Sequence, residues 1–365
     1  MPRFLKYGIS TGACAAAAAK AAVITLTKEC VERVVIPTPI GIRFEIPVKS
    51  CSKQNDQATA TVIKDAGEDI DVTDGIEITA NVQLTDDGEI IITSGEGVGK
   101  VTKPGLPIPV GEPAINPVPR KMITEAVQEA LPQGKGAKVT VVVPEGAKVA
   151  EKTFNAKLGI VGGISILGST GVVKPLSLEA CRRSLVPQID VAVSRGYSRV
   201  FFVPGNIGER ITKQLFTVAD EQIVQTGDFV GFMLEKAAER DVKEIMFLGH
   251  SGKMVKLAAG IFNTHYRMGD ARNEVIAAYA ASEGADQKAV NTILQANTTE
   301  EATELLNKLG LTRVTYDKIA QRIHARVTDR VKSKIKIGII IVSMEGKVLG
   351  ADENAKRQEP WLNSS

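Results

Sequence analysis

The chain has 365 residues, 44% of them hydrophobic and 24% charged, with a formal net charge of +3. That length allows two domains of ordinary size, and the composition is that of a globular chain. The small, dispersed positive charge excludes a nucleic-acid footprint, and no apolar run reaches the roughly 18 residues of a membrane span.

Aromatic residues make up only 4%, so the cores must be built from Ala, Val, Ile and Leu. Cys14, Cys30, Cys51 and Cys181 form no C-x-x-C, and with three His there is no ligand-like spacing. The expectation is reduced thiols in a cytoplasmic protein with no resident metal. Arg3 and Lys6 precede an Ala-rich run, but Lys20 interrupts it and the helical pattern continues, so it reads as fold and not as a secretory signal.

In chain order, residues 13–27 carry no Pro or Gly and read as a helix. Ser10, Thr11 and Gly12 stand at its start, where free N–H groups and the positive dipole end would suit an anion. Alternating runs follow in "IGIRFEIPV", "ATATVIK", "IEITANVQL" and "EIIIT", with reversals at Asp74-Gly75 and Asp87-Gly88. Residues 94–120 hold six Pro and five Gly, so no long regular element can run through them. Their Val98, Leu106, Ile108 and Ile115 speak against a solvated linker. A helix over 119–131 and a strand over 138–143 close an expected first domain, 1–150.

Beyond residue 153, buried strands, Gly-bearing turns and helices alternate. Strands are expected in "GGISILGSTG", "RVFFVPGN", "EIMFLGHSG" and "IKIGIIIVS", the last either central or antiparallel at an edge. Helices are expected over 177–194 and from a cap at Asp228 to 240. The fold class expected is α/β in two parts: a strand-rich α+β domain, then a mostly parallel Rossmann-like α/β domain over 151–350, with a loose tail over 351–365.

Three strand-to-loop junctions carry the functional signal, because parallel sheets bind ligands beyond the carboxyl ends of their strands. They supply Gly168, Ser169, Thr170 and Gly171; Gly205, Asn206 and Gly208; and Gly249 and Gly252. Together they would line one cofactor crevice. The last is not a phosphate loop: two residues separate its glycines where four are required, and Met254 stands where a hydroxyl is needed. On the helix that follows, Lys253, Lys256, Gly260 and Asn263 share one expected open face, with His265, Arg267, Asp270 and Arg272 in the next turn. The second strand ends in Asn206 and Glu209 without the carboxylate that a ribose-binding motif would place there, so no cofactor site follows from motif.

The strings "GISTGACAAAAAKAA", "GLPIPVGEPAINPVPRKMI", "PEGAKVAEKTFNAKLGIVGGISILGSTGVVKPLS" and "GHSGKMVKLAAGIFNTHYRMGDAR" resemble the CbiD family of cobalamin biosynthesis, the cobalt-precorrin-5B C(1)-methyltransferases. The similarity runs from about residue 7 to about residue 350, with Ser169 and Leu176 as small departures. It implies S-adenosylmethionine-dependent methylation of carbon 1 of a ring-contracted macrocycle, whose cobalt is carried by the substrate. Such a flat, carboxylate-rimmed tetrapyrrole would need an apolar slot edged by cations.

Substrate contacts are expected from Ser10, Thr11, Lys103, Arg120, Lys174, Lys253, Lys256, Asn263, Arg267 and Arg272, and any proton adjustment from His250 or His265. The donor would cross the three Gly-bearing turns, with the macrocycle between them and the Pro-rich loop. No membrane or nucleic-acid partner is expected, and the oligomeric state stays open, a homo-oligomer included. A kinase would explain the anion-binding turns but lacks the loop spacing. A non-catalytic carrier of the macrocycle would explain the basic loops.

Overall fold

The computed structural model describes residues 5–175, 177–332 and 335–358, so Leu176 and residues 359–365 of the expected tail lie outside the described residues. The chain forms two compact units, Met1–Leu178 and Glu179–Ser365.

The first unit begins with β1 (Gly8–Ile9) and α1 (Thr11–Thr27). Then come β2 (Arg33–Pro37), β3 (Arg43–Pro47), β4 (Ser50–Gln54), β5 (Gln57–Ile63), β6 (Glu77–Thr85) and β7 (Ile90–Ser94). Two short strands, β8 (Gly97–Val98) and β9 (Lys100–Val101), precede α2 (Pro117–Gln128), β10 (Gly136–Val142) and α3 (Gly146–Ala150). Three more, β11 (Ile160–Val161), β12 (Gly163–Ile164) and β13 (Val172–Val173), complete the unit.

Helix α1 is apolar all round, and every Ala from Ala13 to Ala22 is 0% exposed, as a helix with no polar face requires. Its one charge, Lys20, is satisfied by Val35 O at 2.7 Å and by Glu129 at 2.5 Å. The main sheet runs β4-β5-β6-β10-β7. The Asp87-Gly88 reversal therefore does not pair its two flanking strands. Strand β10 enters between them, antiparallel to β6 and parallel to β7, and buries Val139 and Val141.

The Pro/Gly loop is folded into the unit by short pairings. Strand β8 pairs parallel with β12, and β9 pairs antiparallel with β11. Gly97 is required there, since its φ is +72° and a Cβ would stand 1.7 Å from Val143 O. Strand β13 pairs antiparallel with β1. Residues 160–173, expected in the second domain, thus belong to the first unit. The expectation of four reduced thiols is also corrected: Cys30 and Cys51 form a disulfide with Cα atoms 5.6 Å apart, while Cys14 and Cys181 are free.

The second unit is entered by α4 (Leu178–Leu185) and α5 (Pro187–Ser194), which Pro187 separates where one helix was expected. There follow β14 (Arg199–Val203), α6 (Asn206–Leu215), β15 (Ile223–Gln225), α7 (Val230–Ala238), β16 (Glu244–His250) and α8 (Ser251–Ala258). A helical stretch of α9 (Arg272–Ser282), α10 (Gln287–Leu294), α11 (Thr299–Lys308) and α12 (Thr312–Arg330) leads to β17 (Lys336–Val342), β18 (Val348–Ala351) and α13 (Glu353–Lys356).

The sheet order is β15-β14-β16-β17-β18. Its first four strands are parallel and β18 is antiparallel. Strand β17 is therefore interior, with β18 as the antiparallel edge. Burial on both faces explains the uninterrupted apolar runs of β14, β16 and β17. The expected tail from residue 351 is structured as far as Gln358: Asp352 is buried and accepts from the backbone N–H groups of Ile339 and Ala355. Among the described residues no helix is long and apolar enough to cross a membrane.

Candidate active site

From β14 the chain moves outward to β15, then returns past β14 to β16. That reversal makes a switch point between β14 and β16, where open parallel sheets bind ligands at their carboxyl ends. The two turns located there are 204–208 and 249–252. Gly249 allows them to touch, because a Cβ on it would stand 2.9 Å from Pro204 Cδ and 2.8 Å from Met254 Sδ. Gly208 lies under Leu248 O, which a Cβ would approach to 2.9 Å. At Gly205, by contrast, no atom lies within 4 Å of an added Cβ, so the turn faces open space.

The 168–171 turn is not a third member of this edge. It lies in the first unit and closes over the start of α1: Ser10 N donates to Gly171 O at 2.9 Å and Gly12 N to Leu167 O at 3.0 Å. Thr11 Oγ1 accepts from Leu167 N at 2.8 Å, and Ser10 Oγ caps Ala13 N at 3.2 Å. The N–H groups of Gly12 and Ala13, counted on for an anion, are taken by the chain itself. Thr170 Oγ1 closes locally on Val172, and Ser169 is exposed at the tip. Elsewhere in this unit Arg120 ties the Pro-rich loop to β7 through Ile115 O and Ile92 O. The Lys103 stem packs on Gly159, and Lys174 is exposed.

Back at the sheet edge, His250 is the N-cap of α8. Its Nδ1 accepts from Gly252 N at 3.2 Å, and its Nε2 meets the Glu300 carboxylate in hydrogen-bonding contact. With Nδ1 an acceptor, the proton resides on Nε2 and points at Glu300, so both nitrogens are engaged by the fold. Ser251 continues this network to Thr299 at 2.9 Å. Tyr316, fully buried and bonded to Thr303 at 2.7 Å, lies behind it, with its phenol pushed up to about 12 by burial.

Lys253 Nζ lies 3.0 Å from Asp228 and donates to Pro204 O at 3.2 Å, linking α8 to the ends of β15 and β14. Asp228 does not cap α7; its carboxylate also accepts from Thr264 Oγ1 at 2.8 Å. Burial pushes this carboxyl up, but the Lys253 ammonium and the Thr264 hydroxyl outweigh burial and hold it below the ordinary range.

Two expectations about α8 are overturned. The helix stops at Ala258, and Gly260, with φ +82°, is beyond its end and not mid-helix. Lys256 is not on an open face: it is 4% exposed, and its ammonium donates to Thr264 O at 3.2 Å and Gly269 O at 3.1 Å. The loop so gripped places Asn263 Oδ1 on His265 N, and His265 Nδ1 accepts from Arg267 N at 3.3 Å. Arg272 closes a two-point pair with Asp270 at 2.8 and 2.6 Å, holding the Asp270 carboxyl low.

The structure thus gathers Gly205, Asn206, Gly208, Gly249, His250, Gly252 and Lys253 at one sheet edge, with Asn263 and His265 on the loop anchored beside Asp228. Sequence reasoning missed Asp228 as a site residue. It follows β15, whose three residues are too few to show a period. Glu300 had no local signal, since its partner His250 lies fifty positions away in sequence.

Comparison with known proteins places the chain in a family. Residues 1–175 match the CbiD family and residues 263–353 its C-terminal domain. The cobalt-precorrin-5B C(1)-methyltransferase of Methanocaldococcus jannaschii is 47% identical, over 95% of this chain and 96% of that protein. That of Moorella thermoacetica is 44% identical, over 98% of each. A crystal structure of the cobalamin biosynthesis protein (cbiD) from Archaeoglobus fulgidus shares 29% identity, with a TM-score of 0.39 over 75% of this chain and 86% of that one. On the extent of these sequence matches, the chain belongs to the CbiD family.

Proposed function

We propose that the chain transfers a methyl group from S-adenosylmethionine to carbon 1 of cobalt-precorrin-5B, giving cobalt-precorrin-6A in the anaerobic route to cobalamin. The observation that carries this reading is near-full-length identity to relatives named for that activity, 47% over 95% of the chain for the first of them. The sheet edge supports it. Gly205 leaves open room at the switch point, and Asp228 offers a carboxylate of the kind that accepts ribose hydroxyls in doubly wound folds. These residues fit a nucleoside-type methyl donor, held between the 204–208 and 249–252 turns. When bound, the donor supplies an electrophilic methyl group on a sulfonium.

The work of the chain itself is alignment, which can contribute several kcal/mol to a displacement without any acid or base. His250 acts as a positioning residue that fixes the 249–252 turn through Gly252 and Glu300. We assign His265 to the substrate, and its loop supports this, since Thr264 bonds the loop to Asp228 and His265 Nδ1 accepts from the Arg267 N–H. Cobalt arrives with the macrocycle, and the reaction needs no membrane or nucleic-acid partner. Incubation with methyl-labelled S-adenosylmethionine and cobalt-precorrin-5B tests the proposal. Label must enter the ring. Binding of the macrocycle with all label left in the donor would make the chain a carrier and end this reading.

A further inference from the structure

The loop between α8 and α9 is built more firmly than its exposure explains. Tyr266 is 68% exposed and Met268 61%, on a stretch that contributes neither side chain to a core. Yet the stretch is held at both ends by the buried Lys256 ammonium, on Thr264 O and Gly269 O. Thr264 is bonded to Asp228 twice more, through its N–H at 3.0 Å and its hydroxyl at 2.8 Å. Burying an ammonium on neutral carbonyls is expensive. A fold that does so to stiffen a surface loop has preorganised whatever the loop presents.

What it presents is a stack. The His265 and Tyr266 rings lie 4.6 Å apart between centroids and are tilted by 33°. The Arg267 guanidinium stands 5.5 Å from the Tyr266 centroid, with Nε donating to the Tyr266 hydroxyl at 3.0 Å. Nearby Arg272 is neutralised by Asp270, but among the described residues Arg267 has no carboxylate partner. An exposed aromatic face next to an uncompensated guanidinium matches a flat ring with carboxylates on its rim.

We propose that residues 265–267 form a preformed platform for one face of the macrocycle, Tyr266 stacking on the ring and Arg267 engaging a rim carboxylate. The inference rests on the methyltransferase reading and assigns this loop to the acceptor, not to the donor. The occupant follows from charge and shape: a planar ring rimmed by several carboxylates satisfies Tyr266 and Arg267 together, whereas the donor brings a single carboxylate and a sulfonium that the Arg267 guanidinium repels.

The test uses the full chain, with KM for cobalt-precorrin-5B and for S-adenosylmethionine measured in wild type, Tyr266→Ala, Tyr266→Phe and Arg267→Ala. Equilibrium dialysis of the macrocycle accompanies the kinetics. Tyr266 is exposed, so the variants should melt with wild type. Loss of one stacking ring should raise macrocycle KM and Kd roughly tenfold in Tyr266→Ala, while Tyr266→Phe stays within about twofold, as stacking without a hydroxyl requires. Arg267→Ala should weaken the macrocycle alone. Unchanged macrocycle KM in Tyr266→Ala, with wild type turning over normally, would overturn the platform and leave the methyltransferase standing. A rise in donor KM alone would assign the loop to the donor, and a change in oligomeric state alone would make it a contact between copies; either overturns the proposal. Absence of label transfer in wild type would end the methyltransferase reading, and dialysis would then decide the platform by itself, an unchanged macrocycle Kd in Tyr266→Ala overturning it.

Discussion

Lys256→Met puts a number on the grip that holds the 264–269 loop. The substitution keeps the length and apolar stem of a side chain that is 4% exposed, and removes only the ammonium. Two effects oppose each other. Each hydrogen bond from a charged donor contributes about 1.5–3 kcal/mol, so the bonds to Thr264 O and Gly269 O together contribute about 3–6 kcal/mol. Relief from burying the ammonium returns several kcal/mol, as buried charges replaced by apolar groups often show. Thr264 O is buried, however, and loses its partner outright, so the balance should favour wild type by about 1–3 kcal/mol. The loss should be local. Urea unfolding would show a modestly lower midpoint with an unchanged slope. Amide exchange over residues 264–269 should accelerate while β16 and β17 keep their protection. A variant at least as stable as wild type, with unaltered exchange in the loop, would refute the account of Lys256 as a clamp.

Three further outcomes can be measured. Gly97→Ala places a methyl 1.7 Å from Val143 O at a φ of +72° and should cost more than about 3 kcal/mol, whereas Gly111→Ala, at φ +94° but in open space, should cost about 1 kcal/mol. Equal melting temperatures for the two would contradict the packing described around Gly97. The Arg43 guanidinium, followed by the Lys20 ammonium, lowers the Glu129 carboxyl to about 2. Because that folded value lies below the unfolded value of about 4.3, the stabilisation is full above roughly pH 5 and is lost as pH falls through the folded value. The advantage of wild type over Glu129→Gln should therefore vanish in an acid titration followed by circular dichroism; a constant advantage would argue against the pairing. Finally, Asp228→Asn should weaken S-adenosylmethionine binding by roughly tenfold in calorimetry, about 1.4 kcal/mol, with macrocycle affinity retained. Wild-type donor affinity would take Asp228 out of the site.

Much of the frame was legible in the sequence because long periodic elements announce themselves. The α1 helix with its Ser10 cap, the alternation of β5 and β6, and the apolar runs of β14, β16 and β17 all stand where the pattern placed them. What escaped was structure with no period. Strands β8, β9, β11, β12 and β13 have two residues each and owe their existence to partners distant in sequence. They move residues 160–173 into the first unit and remove the 168–171 turn from the parallel edge. The insertion of β10 between β6 and β7 is a choice between pairings that local sequence does not encode. The misjudged face of α8 has a simpler origin: Gly260 was a helix stop in plain view, and reading the helix through it turned Lys256 outward. Asp228 was visible as an acid at a helix start, but its meaning depended on recognising a three-residue strand before it.

The closure of the first unit has a consequence for how the protein is made. Residues 8 and 9 pair with residues 173 and 172, and Gly12 and Ser10 donate to Leu167 O and Gly171 O. A ribosome releases these partners at opposite ends of the unit's synthesis, at about 5–20 residues per second. For that interval α1 is a helix apolar on every side, without the strand pairing and loop that close its N-terminal end. Such long-range closure slows folding and extends the time an apolar surface is open to other chains.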